Sequence, residues 1–60
     1  MRVLIVEDEG KIAGFLAQAF QEEFYEAAVV GDGESALALI RGESFDLVVL
    51  DVMEILTRRG

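Results

Sequence analysis

Two short apolar runs, Val3 to Val6 and Leu47 to Leu50, each pass directly into carboxylates: Glu7 and Asp8 after the first, Asp51 after the second. Each run is too short for a helix and rich in Val, Ile and Leu, which predicts strands buried on both faces, as in a parallel sheet. The first strand is predicted over Arg2 to Val6 and the third over Phe45 to Leu50. Between them, Ile12, Phe15, Leu16, Ala19 and Phe20 fall at i, i+3, i+4, i+7 and i+8. That spacing predicts a helix after Gly10, ending near Glu23 or Phe24, with this stripe in the core. Glu26 to Val30 is predicted as the second strand, and Gly31-Asp32-Gly33 as a turn. A second helix is expected from Glu34 to Arg41, with Ala36, Leu37 and Ile40 facing inward and Gly42 as its stop.

Alternation of strands with helices implies a βαβαβ unit and a parallel sheet with helices on both faces. The carboxyl edge of such a sheet is where ligands bind, so Glu7, Asp8 and Asp51 are expected to meet there. The tail from Glu54 to Gly60 has the charge order of a further helix, with an acid first and Arg58 and Arg59 near its end. It begins only two residues after Asp51, a short connection for a strand entering a helix.

Sixty residues allow one domain at most, and a chain of that size buries only about 60% of its unfolded surface. Without Cys or His, disulfides are excluded and soft-metal sites are disfavoured. Self-association, or derivation from a longer parent chain, therefore becomes an expectation. A net charge of −7 argues against direct contact with nucleic-acid phosphates. No apolar stretch approaches the roughly 18 residues of a membrane span, and a soluble cytoplasmic protein is expected.

Three carboxylates at adjacent strand ends are hard oxygen donors suited to Mg²⁺. Crowded acids repel one another, and a divalent cation would remove that penalty while drawing in a phosphoryl group. Asp51 could then accept phosphate as a nucleophile. The simpler alternative is that the acids are turn residues, with Asp8 capping the first helix. Glu9, Glu22, Glu23, Glu26, Glu34, Glu43 and Glu54 read as solvated surface, and Asp46 as a surface or turn residue at the opposite edge. Gly31-Asp32-Gly33 lacks the spacing of a phosphate-binding loop.

Taken together, the segments Arg2 to Glu9, Asp32 to Leu37 and Phe45 to Met53 resemble the receiver domain of bacterial two-component response regulators, closest to the winged-helix, DNA-binding subclass. The resemblance covers residues 1–53 and leaves 54–60 as a remnant of a third helix, all within one partial domain, 1–60. It implies a flavodoxin-like fragment, βαβαβ(α), with a three-stranded parallel sheet in the order 2-1-3. It further implies Asp51 as phosphoacceptor, Glu7, Asp8 and Asp51 as Mg²⁺ ligands with the Met53 backbone carbonyl, and a histidine kinase as phosphoryl donor. DNA would be contacted only by an output domain outside these residues. Receivers catalyse their own phosphorylation and dephosphorylation.

The chain departs from the family pattern after Met53. Strands 4 and 5 have no counterpart here, nor do the hydroxyl residue and the Lys that contact the phosphoryl group; Thr57 and Lys11 do not match those positions. Two expectations follow: a phosphoaccepting receiver, or a half-receiver without phosphotransfer, stabilised as a homodimer through an exposed edge of the third strand. A phosphatase using an Asp nucleophile is disfavoured, because Met53 stands where a second Asp would be wanted.

Overall fold

The computed structural model describes residues 1–50 of the chain. Its axis is β1 (Arg2–Val6), which pairs in parallel with β2 (Glu26–Val30) on one side and β3 (Leu47–Leu50) on the other, giving the order β2-β1-β3. The registers run from Arg2↔Glu26 to Val6↔Val30 and from Val3↔Leu47 to Val6↔Leu50. Two helices, α1 (Gly10–Glu22) and α2 (Gly33–Gly42), form the crossovers. The first crossover leads away from β1 in one direction and the second returns past it to the other side, so the helices flank opposite faces of the sheet. The expected fold class and strand order are therefore those observed.

Val3, Leu4 and Ile5 are fully buried and Val6 nearly so. Burying each such side chain contributes about 1.5–3 kcal/mol. Alternation along β1 divides them between the two faces. Leu4 and Val6 join Ala36 of α2 in one core cluster, with Ala28, Val30, Leu39 and Phe45 packed against it.

The helices meet the sheet through other residues than the periodicity predicts. In α1 the buried position is Ala13, with Leu16, Ala17 and Phe20 half-buried behind it, whereas Ile12, Phe15 and Ala19 are exposed. The contact stripe is thus rotated by one residue, about 100° on a 3.6-residue helix. In α2, Ala36 is buried and Leu39 packs on the core, while Leu37 and Ile40 are exposed. Small side chains at the contact let the helix backbone approach the sheet, and the bulkier neighbours stand to the side. The third strand is likewise shorter and less covered than expected. It begins at Leu47, and Leu47, Val48 and Leu50 are 39%, 39% and 49% exposed. Burial on both faces holds for β1, the central strand, and fails for β3, which lies at an edge of the described sheet.

Each helix is closed by local hydrogen bonds. Asp32 caps α2 by accepting from the Ser35 amide at 2.7 Å, and Glu34 and Arg41 match the helix dipole at the two ends. At the end of α1, the Tyr25 amide donates to the Phe20 carbonyl and the Phe24 amide to the Gln21 carbonyl, both at 3.0 Å. This is a Schellman cap, completed by the edge-to-face contact of Phe20 with Tyr25 at 5.2 Å. Its left-handed position is held by Phe24, at φ 67°, where glycine is the usual occupant. The Phe24 ring is 92% exposed and contributes no packing to offset that cost. Phe24→Gly is expected to raise the unfolding free energy by about 0.5–1 kcal/mol in urea denaturation; a lowered midpoint would show that the exposed ring stabilises the chain after all.

Candidate functional site

The acids at the carboxyl edge of β1 occupy contrasting environments. The Glu7 amide continues the ladder by donating to the Val30 carbonyl at 3.0 Å, which holds this residue against the sheet and leaves it only 8% exposed. Its Oε1 accepts from the Glu9 amide at 3.0 Å, ordering the turn into α1. Asp8, next in the chain, is exposed. The N-cap is Glu9 rather than Asp8, through a long 3.4 Å bond accepted from the Lys11 amide. The turn therefore leaves Asp8 outside the capping role while Glu7 shapes the entry to the helix. Negative charge here lies near the positive end of the α1 dipole, which favours it.

The register brings β3 to the same edge: the last pair is Val6↔Leu50, and the residues that follow in sequence are Glu7 and Asp51. Asp51, Met53 and the predicted helix from 54 to 60 lie outside the described residues. Among the described residues no group of three His, Cys, Asp or Glu side chains is placed to hold a metal ion. Glu7 and Asp8 are hard oxygen donors and fit a hard cation in kind, as two members of the set expected to include Asp51.

At the amino edge of the sheet stands a cluster that sequence reasoning missed. Arg2 places its guanidinium 4.7 Å from the centre of the Phe45 ring, donates to the Ser44 carbonyl at 3.2 Å, bonds and pairs with Glu43, and lies 3.8 Å from Glu26. The Glu43 hydrogen bond is the main reason its pKa is raised above the ordinary arginine value. Asp46 accepts from the Arg2 amide at 2.7 Å through Oδ2 and donates its own amide to the Arg2 carbonyl at 2.8 Å. Glu26, Glu43 and Asp46 are exposed, as expected, yet all three are engaged by one cation. The available signal was a lone Arg opening an otherwise apolar strand; its partners, up to 44 residues away in sequence, left none.

Among the described residues no helix is long and apolar enough to cross a membrane. No solved structure matched the chain in a search of known structures. Residues 3–54 match the family described as "Response regulator receiver domain". The transcriptional regulatory protein TcrA of Mycobacterium tuberculosis is 47% identical over 53 residues, covering 88% of this chain and 21% of the relative. The sensory transduction protein RegX3 of Mycolicibacterium smegmatis is 53% identical over 51 residues, covering 85% and 22%. The DNA-binding response regulator MtrA of Mycobacterium leprae is 40% identical over 52 residues, covering 87% and 23%. The chain thus spans about a fifth of the length of these curated relatives. With the β2-β1-β3 parallel sheet and the acid pair at the end of β1, these matches lead to one conclusion: the chain belongs to the response regulator receiver domain family.

Proposed function

We propose that this chain, as a 60-residue polypeptide, is a half-receiver: it carries the first acids of a phosphoacceptor site, does not carry phosphotransfer through, and is stabilised by self-association along β3. The observation behind this is the state of β3. Parallel strands are ordinarily covered on both faces. Here Leu47, Val48 and Leu50 are between 39% and 49% exposed, and among the described residues no strand lies beside the outer edge of β3. An apolar edge of that kind is a template for pairing with another strand. A second copy brings the same edge, and antiparallel pairing of the two would extend the sheet about a two-fold axis.

Family membership favours a second reading, in which Asp51 accepts a phosphoryl group from a histidine kinase. Supporting it are the two acids at the end of β1 and a register that leads toward Asp51 beside them. Glu7, Asp8 and Asp51, with the Met53 carbonyl, would hold Mg²⁺. When bound, the ion neutralises negative charge on the transferring phosphoryl group. Glu7 would supply a ligand anchored by the ladder, and Asp8 one reached from solvent. In a longer protein the modified receiver would control an output, transcriptional regulation being named for the relative TcrA and DNA binding for MtrA. The only Lys of the 60 residues is Lys11 in α1, which matches no phosphate-contacting position of the family. Without a fixed cation for the phosphoryl oxygens, transfer loses a principal source of electrostatic stabilisation.

Two measurements separate these readings. Light scattering across a range of concentrations is expected to give a mass rising from monomer to dimer, and a charge introduced on the edge, Val48→Lys, is expected to hold the chain monomeric. A concentration-independent monomer that is folded would remove the half-receiver dimer. Intact mass after incubation with Mg²⁺ and acetyl phosphate is expected to show no phosphate-sized gain in the folded chain. A gain abolished by Asp51→Asn would instead establish a working phosphoacceptor.

A further inference from the structure

We propose that Asp46 is a positioning residue: by bonding both the amide and the carbonyl of Arg2 it sets the register of β3 against β1, and with it where the carboxyl end of β3 stands relative to Glu7 and Asp8. This rests on the phosphoacceptor reading in one respect, the importance of Asp51; the register itself is a separate claim.

The two residues are level with each other, one step before the Val3↔Leu47 pair. In a regular parallel ladder alternate residues of a strand bond to one neighbour, each donating to the carbonyl of the residue before its level partner and accepting from the amide of the residue after it. For Arg2 those would be Phe45 and Leu47. Asp46 itself intervenes instead, its own amide donating to the Arg2 carbonyl at 2.8 Å. The Arg2 amide goes to the Asp46 carboxylate at 2.7 Å, while the Ser44 carbonyl is taken by the Arg2 guanidinium at 3.2 Å. The side chains of Arg2 and Asp46 thus supply hydrogen bonds to the backbone where β3 begins. The carboxylate ends the ladder on Arg2, and no other residue of the segment Glu43 to Leu50 except Glu43 carries a carboxylate that could replace it.

Such a pin matters because the side chains of β3 do little to fix its register. It has four residues, all Leu or Val, and is partly exposed on both faces. A slip of two residues would preserve which face each side chain points to, and replace Val by Leu or the reverse at modest cost. It would move the end of the strand by about 6.6 Å along β1. That distance exceeds the reach of a shared cation between two carboxylates. Arg2 stacked on Phe45 and bonded to Glu43 and Ser44 resists the same slip from the other side, by holding the segment that enters β3.

The test compares Asp46→Ala with Asp46→Asn in the 60-residue chain, reading the β1–β3 cross-strand NOE pattern and the Mg²⁺ titration of the Glu7 and Asp8 amide resonances. Asparagine keeps an oxygen acceptor for the Arg2 amide; alanine has none. In Asp46→Ala the NOEs are expected to report more than one register and Mg²⁺ binding to weaken roughly tenfold, with Asp46→Asn close to wild type in both. A single wild-type register in folded Asp46→Ala would overturn the proposal. If Asp46→Ala does not fold, Asp46→Glu, which retains the charge and moves the acceptor by one methylene, provides the same contrast with Asp46→Asn. Absence of any Mg²⁺ response in the wild type would count against the phosphoacceptor reading alone, since the NOE pattern still decides the role of Asp46.

Discussion

The parallel pairing of β1 on both of its edges is the interaction on which everything else in this chain depends. It makes β1 the one described strand with neighbours on each side, and Val3, Leu4 and Ile5 are fully buried at this central position. The crossover helices have a surface to pack on only because those side chains alternate between two faces. The ladder also decides where the acids stand, since the Glu7 amide donates a hydrogen bond to the Val30 carbonyl and continues the pairing past Val6. A domain of this size has little burial to spare, so the stability of the acid edge and of the sheet are the same quantity.

The two ends of the sheet divide the labour. At the carboxyl edge, Glu7, Asp8 and Glu9 gather near the start of α1, whose dipole favours negative charge. At the amino edge, Arg2 gathers Glu26, Glu43 and Asp46, so opposite charges meet where the segment from α2 enters β3. Exposed ion pairs of this kind stabilise weakly by themselves. Their value here is geometric, because they involve the backbone of β1 and the loop ahead of β3 rather than two side chains alone.

Much of this was legible in the amino-acid pattern. The bounds of β1 and β2 follow from short apolar runs between turn residues, and the strand order follows the family resemblance. What the pattern misplaced were the helix faces. Periodicity weights the large residues Ile12, Phe15, Leu37 and Ile40, but contact with a sheet rewards small ones, and Ala13 and Ala36 are the buried positions. The start of β3 was placed too early because Phe45 favours strands and drew Asp46 into the run; Phe45 packs on the core and Asp46 ends the ladder. The Glu7 and Asp8 pair stood out because two acids directly follow an apolar strand. The Arg2 cluster did not, because its members come from three separate segments and form no local motif.

Native-state hydrogen exchange of the backbone amides tests the central role of β1 most directly. The amides of Val3 and Ile5, on the side of β1 that pairs with β2, are expected to exchange slowest, through global unfolding, while those of β3 exchange through a smaller opening that leaves β1 and β2 paired. Amides of β3 protected to the same degree as those of β1 in dilute solution, or fast exchange throughout β1, would contradict this hierarchy and the structure built on it.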